Sequence, residues 1–228
     1  GSVRRLRVSG TVTPEVLEAM QHALDEANRA AEIIRRMRQF SRNAEVQREP
    51  GSVNDIVEEA LQLVGEDARR RSIKLEKRLG SDLPIVLVDA IHLQQVLINL
   101  VRNAADAMEN IPESERIVII STGSPDAQRM EIRVTDQGSG IAQEALEHLF
   151  DPFMTTKAHG MGLGLAICRS IIEAHHGRIW AETNLDDGGR TTGATFGIVL
   201  PAATMHADPE TTGPAQTRSN DDRLAEPG

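Results

Sequence analysis

The sequence is short of several residue types, and each shortage excludes a class of protein. Its 228 residues include a single cysteine, Cys168, so a disulfide framework within the chain is impossible, and we expect a buried, reduced thiol. No apolar run approaches the roughly 20 residues that a membrane span needs, and no secretory signal opens the chain. The net charge of −9, without a long basic run, argues against binding to nucleic acid through phosphates. These shortages predict a soluble, cytoplasmic chain.

The length allows one domain and an accessory element but not three domains. The opening Gly1-Ser2 resembles the remnant of an expression tag, so we expect the natural chain to begin further upstream. The last 27 residues, from Ala202, contain one leucine and no isoleucine, valine or aromatic residue. Such a segment buries too little apolar surface to become ordered, so residues 202–228 are predicted to be a disordered tail.

The N-terminal segment carries the pattern of a coiled-coil helix. Thr13 and Pro14 are typical of a helix start, and the following apolar residues recur at steps of four and three. These are Val16, Met20, Ala23, Ala27, Ala30, Ile34 and Met37, with a flanking row of Leu17, Leu24 and Ala31. A single helix cannot bury this stripe by itself. We therefore expect a homodimeric helical bundle, with packing onto the chain's own domain as the alternative.

The remainder mixes helices and strands in an order that predicts an α+β fold. The stretch "NAEVQREPGSVN" contains a turn at Pro50-Gly51 and a capping pattern from Ser52 to Asp55. Helices are predicted over 53–70, 90–110 and 163–176, and strands over 73–79, 85–88, 116–122, 130–135, 178–183 and 194–200, with an irregular stretch over 137–162. Strands paired in sequence, with helices between the pairs, indicate one sheet covered by helices on one face rather than a Rossmann fold.

The predicted helix 90–110 carries polar residues on a second stripe beside its apolar face. Asn99, Asn103 and Asp106 follow at spacings of four and three. This stripe could simply be the solvated side of the helix. However, asparagine has a low helix propensity, and an amide oxygen is a suitable ligand for Mg²⁺ that keeps its phosphates and waters.

Two further motifs follow. In "VTDQGSGIA", Asp136 ends a predicted strand and Gly138 and Gly140 come directly after it. The stretch is either a turn with an exposed acid or a carboxylate that accepts a hydrogen bond from the amine of a nucleotide base, with the glycines allowing close approach. In "LFDPFMTTK", Phe150 and Phe153 are expected to pack at the base of a loop, and they are also suited to be the apolar latch of a lid.

Basic and glycine residues continue this stretch. Lys157 is either an ordinary surface lysine or a point charge for a phosphate. Gly160, Gly162 and Gly164 precede a predicted helix, whose free first-turn amides are suited to an anion without any net positive charge. The sequence "GKS" or "GKT" is absent, so this is not a Walker A loop.

In this order, the four motifs resemble the N, G1, F and G2 boxes of the sensor histidine kinases. "RAAEIIRRMRQFSR", "NAADAM" and "GRIWAETN" are similar to the FixL/NtrB-like branch of that family. The resemblance implies a Bergerat-type ATP-binding domain over residues 52–201, as in gyrase and the Hsp90 chaperone. It also implies that residues 1–45 are part of the helical hairpin for dimerisation and histidine phosphotransfer.

The resemblance assigns roles to individual residues. Asn103 would bind Mg²⁺ and Asp136 would bind adenine. The residues implied to contact ATP are Asn99, Asn103, Asp136, Gly138, Gly140, Phe150, Phe153, Lys157, Gly160, Gly162, Gly164 and Leu165.

The implied activity is transfer of the γ-phosphoryl group of Mg·ATP to a histidine and then to an aspartate of a response-regulator receiver domain. The family's phosphoacceptor histidine is followed by Glu or Asp, and this chain has no such motif in its N-terminal segment. His22 is followed by Ala23 and is interpreted as a surface residue. We therefore expect the acceptor upstream and no autophosphorylation by this chain. The alternatives are a non-catalytic ATP-binding dimer module and an ATPase of the gyrase or chaperone type.

Overall fold

The computed structural model describes residues 16–20, 23, 47–155 and 162–203. The apolar stripe from Val16 to Met37 is called the seam below. Residues 16–20 and 23 are helical, as its coiled-coil pattern predicts. The rest of the seam, His22, Lys157, Gly160 and the tail beyond residue 203 lie outside the described residues.

From residue 47 onward the described chain forms an α+β domain. The helices are α1 (Val53–Arg70), α2 (Ala90–Ala107), α3 (Gln143–Leu146) and α4 (Gly164–Ala174), with a 3-10 turn at Glu113–Glu115. The strands are β1 (Glu49–Gly51), β2 (Lys74–Leu79), β3 (Val86–Val88), β4 (Ile117–Asp126), β5 (Arg129–Asp136), β6 (Arg178–Leu185) and β7 (Thr191–Pro201).

The two long helices begin where side chains cap them. The Ser52 hydroxyl accepts a hydrogen bond from the Asp55 amide at the start of α1, at 3.4 Å. A carboxylate oxygen of Asp89 accepts one from the His92 amide at the start of α2, at 3.1 Å. Each cap satisfies an amide that has no partner within the helix, which explains why both starts were predictable from the sequence.

The main sheet has five strands in the order β2-β4-β5-β7-β6. Strands β2 and β4 are parallel, and every other neighbouring pair is antiparallel. Alternate residues of β5 are buried, which places one face of the sheet against the helices. Helix α1 packs on β2, α2 on β4 and β5, and α4 on β6, so the hydrophobic core lies between the helices and one face of the sheet. The predicted α+β architecture is confirmed.

Several details differ from the sequence-based prediction. Pro50 and Gly51, predicted as a turn, lie in β1, which pairs antiparallel with β3. A proline is tolerated there because β1 has a strand on one side only among the described residues. The stretch 137–162, predicted as irregular, contains the short helix α3. Ala202 forms a bridge with Val86, so the ordered chain continues past the predicted boundary at residue 201.

Candidate nucleotide-binding site

Helix α2 contacts two of the other motifs directly. Near its middle, the side-chain oxygen of Asn99 lies 3.0 Å from where a Cβ on Gly164 would be, at the start of α4. At its end, the carbonyl oxygen of Ala107 lies 2.8 Å from the corresponding position on Gly138. A Cβ at Gly138 would collide with the backbone of α2, and one at Gly164 would press tightly against the Asn99 side chain. The glycines therefore allow the loop after β5 and the start of α4 to pack against the same helix.

Asp136 lies at the end of β5 and is 2% exposed. Its Oδ1 accepts hydrogen bonds from the amides of Gly138 at 2.8 Å and Ala194 at 3.2 Å. Both hydrogen bonds that the described residues donate to this carboxylate go to Oδ1, so Oδ2 is left to accept from a ligand. Burial raises the pKa of Asp136, and the two amide hydrogen bonds oppose that shift. The structure thus agrees with a functional carboxylate and not with an exposed acid in a turn.

The loop after Asp136 is fixed by its packing. Gly140 has φ of +70°, a conformation that side chains rarely adopt, and the methyl groups of Thr183 and Thr191 occupy the space where its Cβ would be. The next residue, Ile141, is hydrogen-bonded through both backbone groups to the Thr183 hydroxyl, at 3.1 Å from N and 2.7 Å from O. The loop is therefore attached to β6 as well as to β5.

Asn99 is held by Cys168. The Asn99 side-chain nitrogen donates a hydrogen bond to Cys168 Sγ at 3.1 Å, which connects α2 to α4. Cys168 is buried, as the sequence predicted, and burial raises its pKa to about 12. The side-chain amide of Asn99 is therefore held by a group that lies in the hydrophobic core.

The other polar residues of α2 have separate environments. Asn103 is partly buried one turn after Asn99. Asp106, the third residue of the predicted polar stripe, forms an ion pair with Arg71 at 2.6 Å and so joins the end of α2 to the end of α1. Within 47–155 and 162–203, no group of three or more His, Cys, Asp and Glu residues could hold a metal ion.

The two phenylalanines have different roles. Phe150 is partly buried and packs against the core, as expected. Phe153 is 70% exposed and has φ of +69°, so the prediction that it packs at the loop base is wrong. The Phe153 amide donates a hydrogen bond to the Gly162 carbonyl at 3.0 Å, which brings these two residues together. Gly162 has φ of +65°, and a Cβ on it would lie 2.6 Å from the Met154 amide nitrogen.

The start of α4 provides amides without a side-chain cap. Helix α4 begins at Gly164, and the preceding residue, Leu163, makes no side-chain capping hydrogen bond. Leu165 is partly buried against the core and fixes the first turn. Free amides at the start of a helix are suited to a phosphate.

Sequence reasoning missed two contributors to the site. The Ala194 amide that holds Asp136 is a backbone group, so no residue type marks it. Thr183 lies in β6 outside the four motifs, and its contact with Ile141 joins residues 42 positions apart. In both cases the information lies in the pairing of distant segments.

A carboxylate at the end of a strand, a glycine loop beside it and an uncapped helix start define an α+β nucleotide-binding domain. A family model described as histidine kinase-, DNA gyrase B- and HSP90-like ATPase matches residues 88–204. The chain belongs to this family.

The relatives narrow the resemblance further. The chain is 43% identical over 192 residues to the sensor protein FixL of Bradyrhizobium diazoefficiens. The matched region is 84% of this chain and 36% of FixL. The chain therefore spans about a third of that relative's length. The resemblance to the sensor histidine kinases, predicted from the four motifs, is confirmed. No helix in the described part of the chain is both long and apolar enough to cross a membrane.

Solved structures agree. The nucleotide-free catalytic domain of the histidine kinase ThkA is 32% identical, with a TM-score of 0.58, over 68% of this chain and 95% of that domain. ThkA in complex with the response regulator TrrA is 26% identical, with a TM-score of 0.65, over 89% of this chain and 56% of that chain.

Proposed function

We propose that this chain is the catalytic core of a sensor histidine kinase, which binds Mg·ATP and transfers the γ-phosphoryl group to a histidine and then to a response-regulator aspartate. The 43% identity to FixL and the similarity to ThkA in its complex with TrrA support this assignment. Residues 1–45 would form part of the dimerisation hairpin, 52–201 the ATP-binding domain and 202–228 a tail. A cytoplasmic location follows from the proposed substrate, ATP.

The proposal rests mainly on the part of the site that would bind adenine. A buried carboxylate whose Oδ1 is held by two amides presents Oδ2 in a fixed direction. A carboxylate oxygen in this position would accept a hydrogen bond from the exocyclic amine of adenine. The nearby Gly138 lets the loop pack closely against Ala107 of α2, where its amide can hold Asp136 Oδ1.

The phosphate end has different chemistry. The first-turn amides of α4 would bind phosphate oxygens, and Asn99 and Leu165 would support that turn. Lys157 and Gly160 would contribute from the segment that joins Phe153 to Gly162. Asn103 would supply an amide oxygen to Mg²⁺, and a single such ligand suits an ion that keeps its waters and the phosphates of its nucleotide.

This arrangement fits phosphoryl transfer, in which the protein mostly positions the reactants and stabilises charge. The bound Mg²⁺ would supply charge neutralisation at the phosphates. The residues of this chain would hold the base, orient the phosphates and leave the γ-phosphoryl group accessible to a histidine.

The test is the substitution Asp136→Asn, with ATP affinity measured by calorimetry. The asparagine oxygen would keep the two amide hydrogen bonds at Oδ1, so the fold is expected to remain. The amide nitrogen would replace Oδ2 and would face the adenine amine, donor against donor. Loss of a charge-assisted hydrogen bond costs about 1.5–3 kcal/mol, which corresponds to roughly a ten- to hundredfold weaker affinity.

Asp126→Asn is the matched control. Asp126 also accepts a hydrogen bond from a backbone amide, that of Gln128, but it lies at the exposed end of β4. This variant is expected to bind ATP like the parent chain. Equal ATP affinities for the Asp136 variant and the control would contradict the adenine assignment.

A further inference from the structure

We propose that Thr183 is a positioning residue that holds the loop 137–141 in the conformation that binds the adenine base. The inference rests on the proposed function. Thr183 lies on β6, two strands away from Asp136 in the sheet, and belongs to none of the four motifs.

The hydroxyl of Thr183 makes two hydrogen bonds to one residue of the loop. It accepts from the Ile141 amide at 3.1 Å and donates to the Ile141 carbonyl at 2.7 Å. A hydroxyl has the one donor and the acceptor positions that this pair of bonds requires. Thr183 thus gives both backbone polar groups of Ile141 a hydrogen-bond partner, as a neighbouring strand would.

The methyl group of Thr183 acts on the preceding residue. Its Cγ2 lies 2.9 Å from the position where a Cβ on Gly140 would be. Gly140 has φ of +70°, so the loop bends sharply at the point where the methyl group packs. One side chain therefore fixes two successive residues of the loop, by hydrogen bonds at Ile141 and by packing at Gly140.

The same side chain is connected to Asp136 through the sheet. Thr183 pairs with Ala194 of β7, and the Ala194 amide donates to Asp136 Oδ1 at 3.2 Å. The other hydrogen bond to Oδ1 comes from Gly138, within the loop itself. Both ends of the loop are consequently linked through Thr183, Ala194 and Asp136. If the Thr183 end were released, Gly138 would be free to move away from the carboxylate of Asp136.

The expected effect follows from the population of the binding conformation. If the loop adopts that conformation only part of the time, the apparent dissociation constant rises by the inverse of that fraction. Thr183→Val keeps the shape and the methyl group but removes both hydrogen bonds. We expect it to weaken the affinity for ATP about tenfold, and the affinity for ADP by the same factor, because the change lies at the base and not at the phosphates.

Two variants separate this role from general stability. Thr183→Ser keeps the hydroxyl and should bind ATP within about twofold of the parent chain. Thr135→Val removes a partly buried threonine hydroxyl of β5 that bonds to Thr195 and not to the loop, and should also bind within about twofold. Amide exchange at Ile141, measured without nucleotide, should accelerate at least tenfold in Thr183→Val and stay slow in Thr135→Val.

The experiment measures the affinities for ATP and ADP, thermal unfolding and Ile141 exchange for the full chain and each variant. Unchanged ATP affinity in Thr183→Val would overturn the inference, and so would an equal loss in Thr183→Ser, which would assign the effect to the methyl group. If Thr183→Val does not fold, Thr183→Cys replaces it, because a thiol is a weak hydrogen-bonding group of similar size to the serine side chain. Failure of the parent chain to bind ATP would instead overturn the proposed function itself.

Discussion

At the scale of single residues, Cys168 illustrates how burial determines chemistry. The thiol is 2% exposed and its pKa is raised to about 12, so almost no thiolate is present near neutral pH. Only the thiolate is an effective nucleophile. The thiol therefore acts as a hydrogen-bond acceptor for Asn99 and not as a reactive group.

Cys168 should consequently be inert in the folded protein. At pH 8, we expect no reaction with an aromatic disulfide reagent over an hour in native conditions, and one equivalent of released thiol in denaturant. Ser170→Cys places a thiol on the exposed side of the same helix and should add one rapidly reacting equivalent. Rapid modification of the parent chain in native conditions would show that the packing of α4 against α2 opens readily.

At the scale of elements, His175 joins the end of α4 to the start of α2. Its Nε2 accepts a hydrogen bond from the Asp89 amide at 2.9 Å, and its Nδ1 faces the Ile171 carbonyl at 2.7 Å. The ring must therefore be neutral, with the proton on Nδ1. Burial lowers the pKa of His175, and the nearby His92 and Arg48 lower it further, whereas the Ile171 carbonyl and Asp89 oppose the shift.

This histidine should make folding stability depend on pH. Because the pKa is lower in the folded state, the unfolded chain binds the proton more readily, and stability falls as the medium becomes more acidic. The contribution is complete above the ordinary histidine pKa of about 6.5 and is lost as pH falls through the lowered value. Protonation also removes the acceptor for the Asp89 amide.

Denaturant unfolding from pH 7.5 to 5 checks this expectation. His175→Gln should be less stable than the parent chain by about 1–3 kcal/mol at pH 7.5, since the Asp89 amide loses a well-placed acceptor. The difference should narrow towards pH 5, where the parent chain loses the same contribution. Parallel stability curves for the two proteins would assign the pH dependence to other groups.

The elements that could be predicted are those whose signals are local. The starts of α1 and α2 follow from Ser52 and Asp89, which cap amides three residues away. Strand β1 was not predicted, because Pro50 and Gly51 form a typical turn pair. Their strand conformation depends on pairing with β3, more than 30 residues further along the chain.

The same distinction applies to the site. Asp136, Gly138 and Gly164 could be singled out because their motifs occur in a fixed order along the chain, at the end of a predicted strand and the start of a predicted helix. Thr183 was not predictable, because its role depends on a contact across the sheet. Phe153 was misjudged because its residue type indicates burial, whereas its backbone turns the ring outward.

At the scale of the whole molecule, the N-terminal seam indicates assembly. Val16 is 49% exposed and Met20 is 37% exposed in the single chain, which leaves apolar seam positions without cover. A coiled-coil seam buries such residues against a second helix. We therefore propose that two chains associate through this seam.

Sedimentation at micromolar concentration should show a dimer for the parent chain. The double variant Val16→Glu and Met20→Glu should shift it to monomer, because charges on the seam would face each other. Ala19→Glu introduces a charge beside the seam and should leave the dimer intact. A purely monomeric parent chain would contradict the bundle.

The remaining prediction concerns what the whole chain does with its nucleotide. We expect residues 1–228 to bind Mg·ATP and to remain unphosphorylated, because an acceptor must approach the γ-phosphoryl group roughly in line and this chain has no histidine followed by an acid in its N-terminal segment. His22 precedes Ala23 and lacks an adjacent carboxylate to orient its ring. A misplacement of about 1 Å already costs about a hundredfold in rate.

Incubation with γ-labelled ATP and Mg²⁺ distinguishes the possibilities, using the parent chain, His22→Ala and a longer chain that restores upstream sequence with its own histidine. Label on the longer chain alone would agree with a phosphoacceptor supplied from outside residues 1–228. An acid-labile label that appears on the parent chain and disappears in His22→Ala would identify His22 as the acceptor. In that case the helical segment would present this histidine to the nucleotide, and the role of the N-terminal segment would extend from dimerisation to catalysis.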